Sequence, residues 1–207
     1  MFPNHVLAKA FAISFAALAT AVLACNGALL AAAQDKDEKE HAAHEHAAAA
    51  SKAIDKAVCV LAPTQGNEAK GVVTFTRQAD GILIEANLEN LKPDTQHGFH
   101  IHEFGDLTSP DGTALGGHFN PAGAPHGAPD ADARHAGDFG NVKSDASGKA
   151  TYSRVDKHIT FDGEDCILGR GMVLHEKEDD LSTQPTGNAG ARIATGVIGV
   201  AQIKKPQ

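Results

Sequence analysis

His100 and His102 stand two residues apart in Gly98-Phe99-His100-Ile101-His102-Glu103-Phe104-Gly105-Asp106, a run in which polar and apolar side chains alternate. A period of two belongs to a β-strand, where residues i and i+2 share a face about 6–7 Å apart along the strand. The two imidazoles therefore project together, while Phe99 and Ile101 turn to the opposite face. An imidazole pair on a rigid strand suits a transition metal, because neutral imidazole is a ligand for Cu, Zn, Fe and Ni. A solvated strand face with two incidental histidines reads the same way, so the pair needs support from elsewhere in the chain.

Short stretches of strand character recur along the sequence. They fall at residues 57–61, 72–76, 82–88, 151–155, 166–175 and 194–203, beside the histidine strand. Ile82, Ile84, Ala86 and Leu88 alternate with Leu83, Glu85 and Asn87, the pattern of a half-buried strand. Pro93-Asp94 marks a turn before the histidine strand. Glycine is abundant at 21 residues, aromatic residues make up only 5%, and no long helical period occurs. These features predict an all-β fold, an antiparallel sandwich or flattened barrel without βαβ units. The formal charge of −8 argues against nucleic acid as a partner.

The chain begins differently. Lys9 is followed by a nearly uninterrupted apolar run from Ala10 to Leu30, and Ala31-Ala32-Ala33 offers a cleavage site. Residues 1–33 read as a signal peptide, which makes the protein an exported one, periplasmic or extracellular, with no membrane association after removal. An uncleaved membrane anchor and a lipid on Cys25 are the competing readings. Residues 34–56 are polar, with His41, His44 and His46 among alanines and charges, and read as a flexible linker. Those histidines suit either a weak copper or zinc tract or plain solvated linker. The folded domain is expected over 57–207. Cys59 and Cys166 remain in it; two thiols allow one disulfide without requiring it.

A long segment between Glu103 and Asn141 is rich in Gly, Pro, Asp and His. Unstructured segments longer than about 12–15 residues are usually functional or disordered. This one holds His118, His126, His135 and Asp138, at spacings of eight, nine and three. Three imidazoles and a carboxylate suit tetrahedral Zn²⁺. His100, His102 and His175 come from strands, and sharing His118 would give a second group four nitrogens, which suits Cu(II).

Gly98 to Asp106, Gly117-His118-Phe119-Asn120-Pro121, Arg134-His135-Ala136-Gly137-Asp138-Phe139-Gly140-Asn141, Val173-Leu174-His175-Glu176-Lys177 and Gly187-Asn188-Ala189-Gly190-Ala191-Arg192 resemble the copper–zinc superoxide dismutase family in order and spacing. The resemblance spans about residues 57–204. It implies a Greek-key antiparallel β-sandwich or flattened barrel with long metal-binding and electrostatic loops. It implies dismutation of superoxide to dioxygen and hydrogen peroxide by copper cycling Cu(II)/Cu(I), beside a structural zinc, in antioxidant defence. Copper would fall to His100, His102, His118 and His175, and zinc to His118, His126, His135 and Asp138, with His118 as bridge. Arg192 would hold the anionic substrate beside copper. Asp179 would link copper and zinc ligands from behind, fixing their orientation. His97 and His158 match no ligand position. A homodimer is implied, with Phe104-Gly105-Asp106, Ile167-Leu168-Gly169 and the final strand near the interface.

The sequence departs from the family pattern twice. The family's disulfide is absent: residues 107–117 hold no cysteine, and Thr195 stands at the position in the final strand. Cys59 and Cys166 match free cysteines and are expected to stay unpaired, leaving loop packing or an Asp111–Gly112 turn to hold the loop. The stretch from Leu181 to Thr186 is short and uncharged, which weakens the expectation of long-range substrate guidance. Two other classes compete with the enzyme. A copper-carrying relative would typically lack a copper ligand or the arginine, and here all are present. A hydrolytic zinc needs an open coordination position, which four protein ligands do not leave.

Overall fold

The computed structural model describes residues 54–202, so the signal segment 1–33 and the linker histidines His41, His44 and His46 lie outside the described residues. Nine strands follow in order: β1 (Lys56–Pro63), β2 (Lys70–Gln78), β3 (Gly81–Glu89), β4 (Gln96–His102), β5 (Asp138–Lys143), β6 (Ala150–Asp156), β7 (Gly171–His175), β8 (Arg192–Val197) and β9 (Gly199–Val200). All pairings among them are antiparallel, and the strand order is β5-β4-β7-β8-β1-β2-β3-β6, with β9 beside β1. The connections β3 to β4 and β6 to β7 cross from one sheet to the other, which gives the Greek key. β1 joins the two sheets: its first six residues pair with β2, and Ala62 and Pro63 pair with Thr195 and Ala194 of β8. β5 and β6, the ends of the order, meet where the Tyr152 hydroxyl donates to the Phe139 carbonyl at 3.0 Å. The barrel is nearly closed, which leaves little exposed strand edge.

Alternation in the sequence becomes alternation in burial. Ile82, Ile84, Ala86 and Leu88 face the core from β3, and Val73 and Phe75 from β2. β4 departs from this rule, because every residue from His97 to His102 is buried. Phe99 and Ile101 fill the barrel interior as expected, and His100 and His102 are buried on the other face beneath the long loop. That loop therefore decides what the outer face of β4 can do.

Most strands run one or two residues beyond the expected ranges, and three stretches differ more. Within 166–175 only Gly171–His175 is a strand; turn bonds close the preceding residues, with Arg170 N–H donating to the Ile167 carbonyl. Within 194–203 the strand starts at Arg192 and breaks after Val197, because Ile198 turns inward and its N–H donates to Arg170. The long loop ends at Gly137, since Asp138–Lys143 is a strand; its Gly, Asn and Asp content disguises it as loop.

No disulfide links the described cysteines, as expected: Cys59 and Cys166 are both free. The segment that the family staples is held otherwise. Thr113–Leu115 forms a single 3-10 turn, and just before it the Asp111 carboxylate accepts from the Thr113 N–H and hydroxyl. Leu115 is fully buried and occupies the space that a Cβ on Gly171 would need. The Arg192 guanidinium donates to the carbonyls of Gly112 and Gly116. Gly112 has φ +76°, and a Cβ there would lie 2.8 Å from the Thr195 methyl carbon, so loop and final strand touch directly without sulfur.

Packing rather than a covalent link should set this loop's stability. Leu115→Ala is expected to cost about 2–5 kcal/mol in denaturant unfolding. Reductant should leave the melting temperature and the thiol count unchanged. Cys59 should react only on unfolding, since burial pushes its thiol up to about 12. A melting temperature lowered by reductant would contradict this.

Candidate metal centre

β4 and β7 supply three imidazoles to one point. His100 and His102 come from β4, and His175 ends β7. Irregular pairing occurs beside both sources, between Gly98 and His100 against β5 and between Leu174 and His175 against β8. Such bulges re-aim side chains next to sites. The fourth imidazole, His118, comes from the loop, which is pinned to β4 where Phe119 N–H donates to the Ile101 carbonyl and His102 bridges to His118. One ligand nitrogen from each of His100, His102, His118 and His175 lies within 4.8 Å of the others, and all four residues are buried.

Hydrogen bonds assign the tautomers. His102 donates from Nδ1 to the Gly116 carbonyl at 2.9 Å, and His175 from Nδ1 to the Gly190 carbonyl at 3.1 Å. His100 donates from Nε2 to Asp179 at 2.8 Å. The lone pairs that remain are His102 Nε2, His175 Nε2 and His100 Nδ1. The first two face each other at 3.4 Å, and His100 Nδ1 is buried with no protein partner, as is His118 Nε2. Converging unpaired lone pairs in a water-poor site repel unless a cation sits among them.

The second group shares His118 and adds His126, His135 and Asp138, again with ligand atoms within 4.8 Å of one another. Asp138 is completely buried. Its Oδ1 lies 2.7 Å from His118 Nδ1 and 3.2 Å from His135 Nδ1, and its Oδ2 lies 3.1 Å from His126 Nδ1. Oδ2 also accepts the N–H groups of Gly127 and His135. His126 Nδ1 and His135 Nδ1 count as unpaired despite those distances, so they are aimed past the carboxylate rather than at it. A tetrahedral ion with ligands at about 2.0 Å has edges of about 3.3 Å between its ligands. The residues present fit zinc, and the four-nitrogen group fits copper.

Asp179 joins the two groups. Its Oδ2 accepts from His100 Nε2 at 2.8 Å and its Oδ1 from His126 Nε2 at 2.9 Å, so one carboxylate orients a ring of each group. Gly187 lies against this bridge with φ +63°; a Cβ there would sit 1.7 Å from Asp179 Oδ1, so no larger residue fits. Arg192 pairs with His175 across the β7–β8 ladder, and its guanidinium shares the Gly116 carbonyl with His102. His97 is buried and donates from Nδ1 to the His175 carbonyl at 2.8 Å, a supporting role, whereas His158 is exposed. The carbonyls of Gly116 and Gly190, which fix two tautomers, were not legible in sequence because any residue type supplies a carbonyl. Gln184 also escaped the sequence reading; it bonds the main chain of His126.

Burial lowers all four imidazoles of the first group. His102 and His175 fall well below the ordinary histidine value through desolvation and then neighbouring histidines, with Arg192 adding to it. Desolvation, then His100, lowers His118 to about 4, and desolvation lowers His100 despite Asp179. These rings are neutral at neutral pH and present lone pairs. Burial opposes protonation of His126 too, but the adjacent Asp138 and Asp179 carboxylates outweigh it and raise the ring to about 9. Against desolvation, the surrounding imidazoles hold Asp138 and Asp179 well below the usual carboxylate range.

The family described as copper/zinc superoxide dismutase matches residues 69–198. A Cu-Zn superoxide dismutase of Paramecium bursaria Chlorella virus 1 is 44% identical over 156 residues, covering 72% of this chain and 82% of that protein. The crystal structure of the clock protein EA4 superposes with a TM-score of 0.65 at 40% identity, covering 72% of this chain and 96% of that one.

Acid should destabilise the metal-free protein. Its lowered histidines take up protons near pH 6.5 in the unfolded chain but only at lower pH in the folded one, so stability drains between about pH 6.5 and 4. The contribution of Asp138 and Asp179 is present above about pH 4 and is lost below it. His126 acts oppositely: its contribution is full below about pH 6.5 and lost as pH rises through about 9. Calorimetric melting of the metal-free protein at pH 7 and 4.5 should give a clearly lower temperature at 4.5. Equal temperatures would contradict the burial of neutral rings.

Proposed function

The chain belongs to the copper/zinc superoxide dismutase family, and we propose that copper is held by His100, His102, His118 and His175 and zinc by His118, His126, His135 and Asp138. Dismutation with copper and zinc is the family's activity: two superoxide anions and two protons give dioxygen and hydrogen peroxide. The observation that carries the assignment is the donor set, four convergent neutral nitrogens beside three nitrogens and a carboxylate, sharing one imidazole. Copper, when bound, supplies the Cu(II)/Cu(I) couple that takes an electron from one superoxide and gives it to the next.

The chain's own residues do the rest. Arg192 attracts and orients the anion. Its guanidinium is anchored on two loop carbonyls. Burial lowers its basicity, yet an arginine stays charged at any physiological pH. Residues 181–187 carry no charged side chain, so attraction is local to Arg192. His118 is fixed at Nδ1 by Asp138, and its Nε2 has no partner in the protein. Nε2 is thus the atom to hold a proton in one half of the cycle and surrender it to peroxide in the other. Asp179 keeps His100 and His126 in the tautomers that ligation requires.

A homodimer is the second part of the reading. Phe104 and Leu107 are 54% and 49% exposed, and a surface hollow is lined by residues 103–106, Cys166 and residues 168–170. Within the stretch Ile167-Leu168-Gly169, Leu168 and Gly169 line this hollow, and Ile167 is fully buried behind them. Export through residues 1–33 completes the proposal. Among the described residues no helix is long and apolar enough to cross a membrane.

Protein loaded with both metals should dismutate superoxide, and selective copper removal should abolish the activity; equal activity without copper would sink the assignment. Arg192→Ala should lower kcat/KM on the order of tenfold and flatten its salt dependence, with metal content retained. An unchanged rate and salt dependence would show that Arg192 does not guide substrate. In sedimentation equilibrium, Phe104→Asp should convert a dimer to monomer, and a wild-type monomer would contradict the proposed interface.

A further inference from the structure

The uncharged stretch after Asp180 does other work. Gln184 accepts from the His126 N–H through Oε1 at 2.8 Å and donates from Nε2 to the His126 carbonyl at 2.9 Å. Only an oxygen accepts and only the nitrogen donates, so this pair of partners fixes the amide orientation. One side chain thereby closes both main-chain groups of one residue, as a neighbouring strand would. His126 sits in the middle of the loop 103–137, on no strand, and needs such a partner to keep a defined direction.

The platform that carries Gln184 is firm. The Asp180 carboxylate accepts from the N–H groups of Ser182 and Thr183, from the Thr183 hydroxyl and from the Asn188 amide. Gly187 N–H donates to the Thr183 carbonyl at 2.7 Å. A few residues earlier, Asp179 bonds the His126 ring at Nε2. The short segment 179–187 thus grips one residue twice, by its ring and by its main chain. With both held, His126 Nδ1 stays aimed at the point it shares with His118, His135 and Asp138.

We propose that Gln184 is a positioning residue for the zinc group, holding His126 in its ligating direction and slowing zinc loss. The proposal rests on the zinc assignment made above. It gives the shortened loop a role of its own, a clamp on the zinc-binding loop in place of a source of guiding charge.

The test is metal release from the full chain loaded with both metals, after rapid mixing with the chromophoric chelator 4-(2-pyridylazo)resorcinol, reading zinc and copper separately. Changes to residues that orient metal ligands typically cost about 10–100-fold in affinity, and a main-chain clamp should fall at the low end. Gln184→Ala should therefore release zinc roughly tenfold faster with copper release unchanged. Gln184→Glu keeps the acceptor for His126 N–H and loses the donor, so it should fall between. Ser182→Ala removes only long contacts to Asp180, 3.3 and 3.4 Å, and should match wild type. Gln184 is exposed, so these variants should fold. Zinc release from Gln184→Ala at the wild-type rate would overturn the proposal while leaving the zinc assignment intact. Equal acceleration of both metals would mean general loosening and would also overturn it. A wild-type chain that holds no zinc would overturn the assignment and the proposal together.

Discussion

Asp138 is a carboxylate that no water reaches, surrounded by three imidazoles and two main-chain N–H groups. A buried charge is costly unless it is compensated. Here compensation comes from residues spread over the loop 103–137, so satisfying one carboxylate folds a segment that has little apolar core of its own. Phe119, Leu115 and Ala136 are its main buried apolar contributions. The unpaired nitrogens around Asp138 leave room for a cation to complete the compensation, and binding energy then becomes folding energy. Arg134 backs this arrangement, donating to the carbonyls of His135, Ala136 and Asp138 while paired with buried Asp156 on β6.

From that centre the constraint passes outward. His118 ties the Asp138 group to the four-nitrogen group, and Asp179 ties them again from behind. The Gly116 carbonyl accepts from both His102 and Arg192, so a ring of the four-nitrogen group and the guanidinium proposed to meet the anion lean on one atom. The barrel supplies rigid directions: β4 for His100 and His102, β7 for His175, β8 for Arg192. The loops supply closure. Without a disulfide, Leu115 packing and the Arg192 bonds connect loop to barrel, which couples the geometry around Arg192 to the stability of the loop.

Much of this was readable in the chain, and what was not has a physical reason. Alternating Ile82, Ile84, Ala86 and Leu88 reveals β3 because one face meets the core and the other meets solvent. β5 escaped because Asp138-Phe139-Gly140-Asn141 looks like turn composition; its polar residues serve the site rather than solvent. The two donor groups could be picked out because metal chemistry demands particular residue types at particular places, and the fold brings the donors of each group together. The carbonyls of Gly116 and Gly190 and the amide of Gln184 were not, since a carbonyl carries no residue identity and a glutamine in a turn looks incidental.

Two donor groups sharing His118 are proposed to divide two metals between them. Anomalous diffraction recorded at the zinc and copper absorption edges, on crystals grown from protein loaded with one equivalent of each, tests it most directly. A zinc peak is expected among His118, His126, His135 and Asp138 and a separate copper peak among His100, His102, His118 and His175. A single peak, exchanged peaks, or metal lying away from His118 would contradict it.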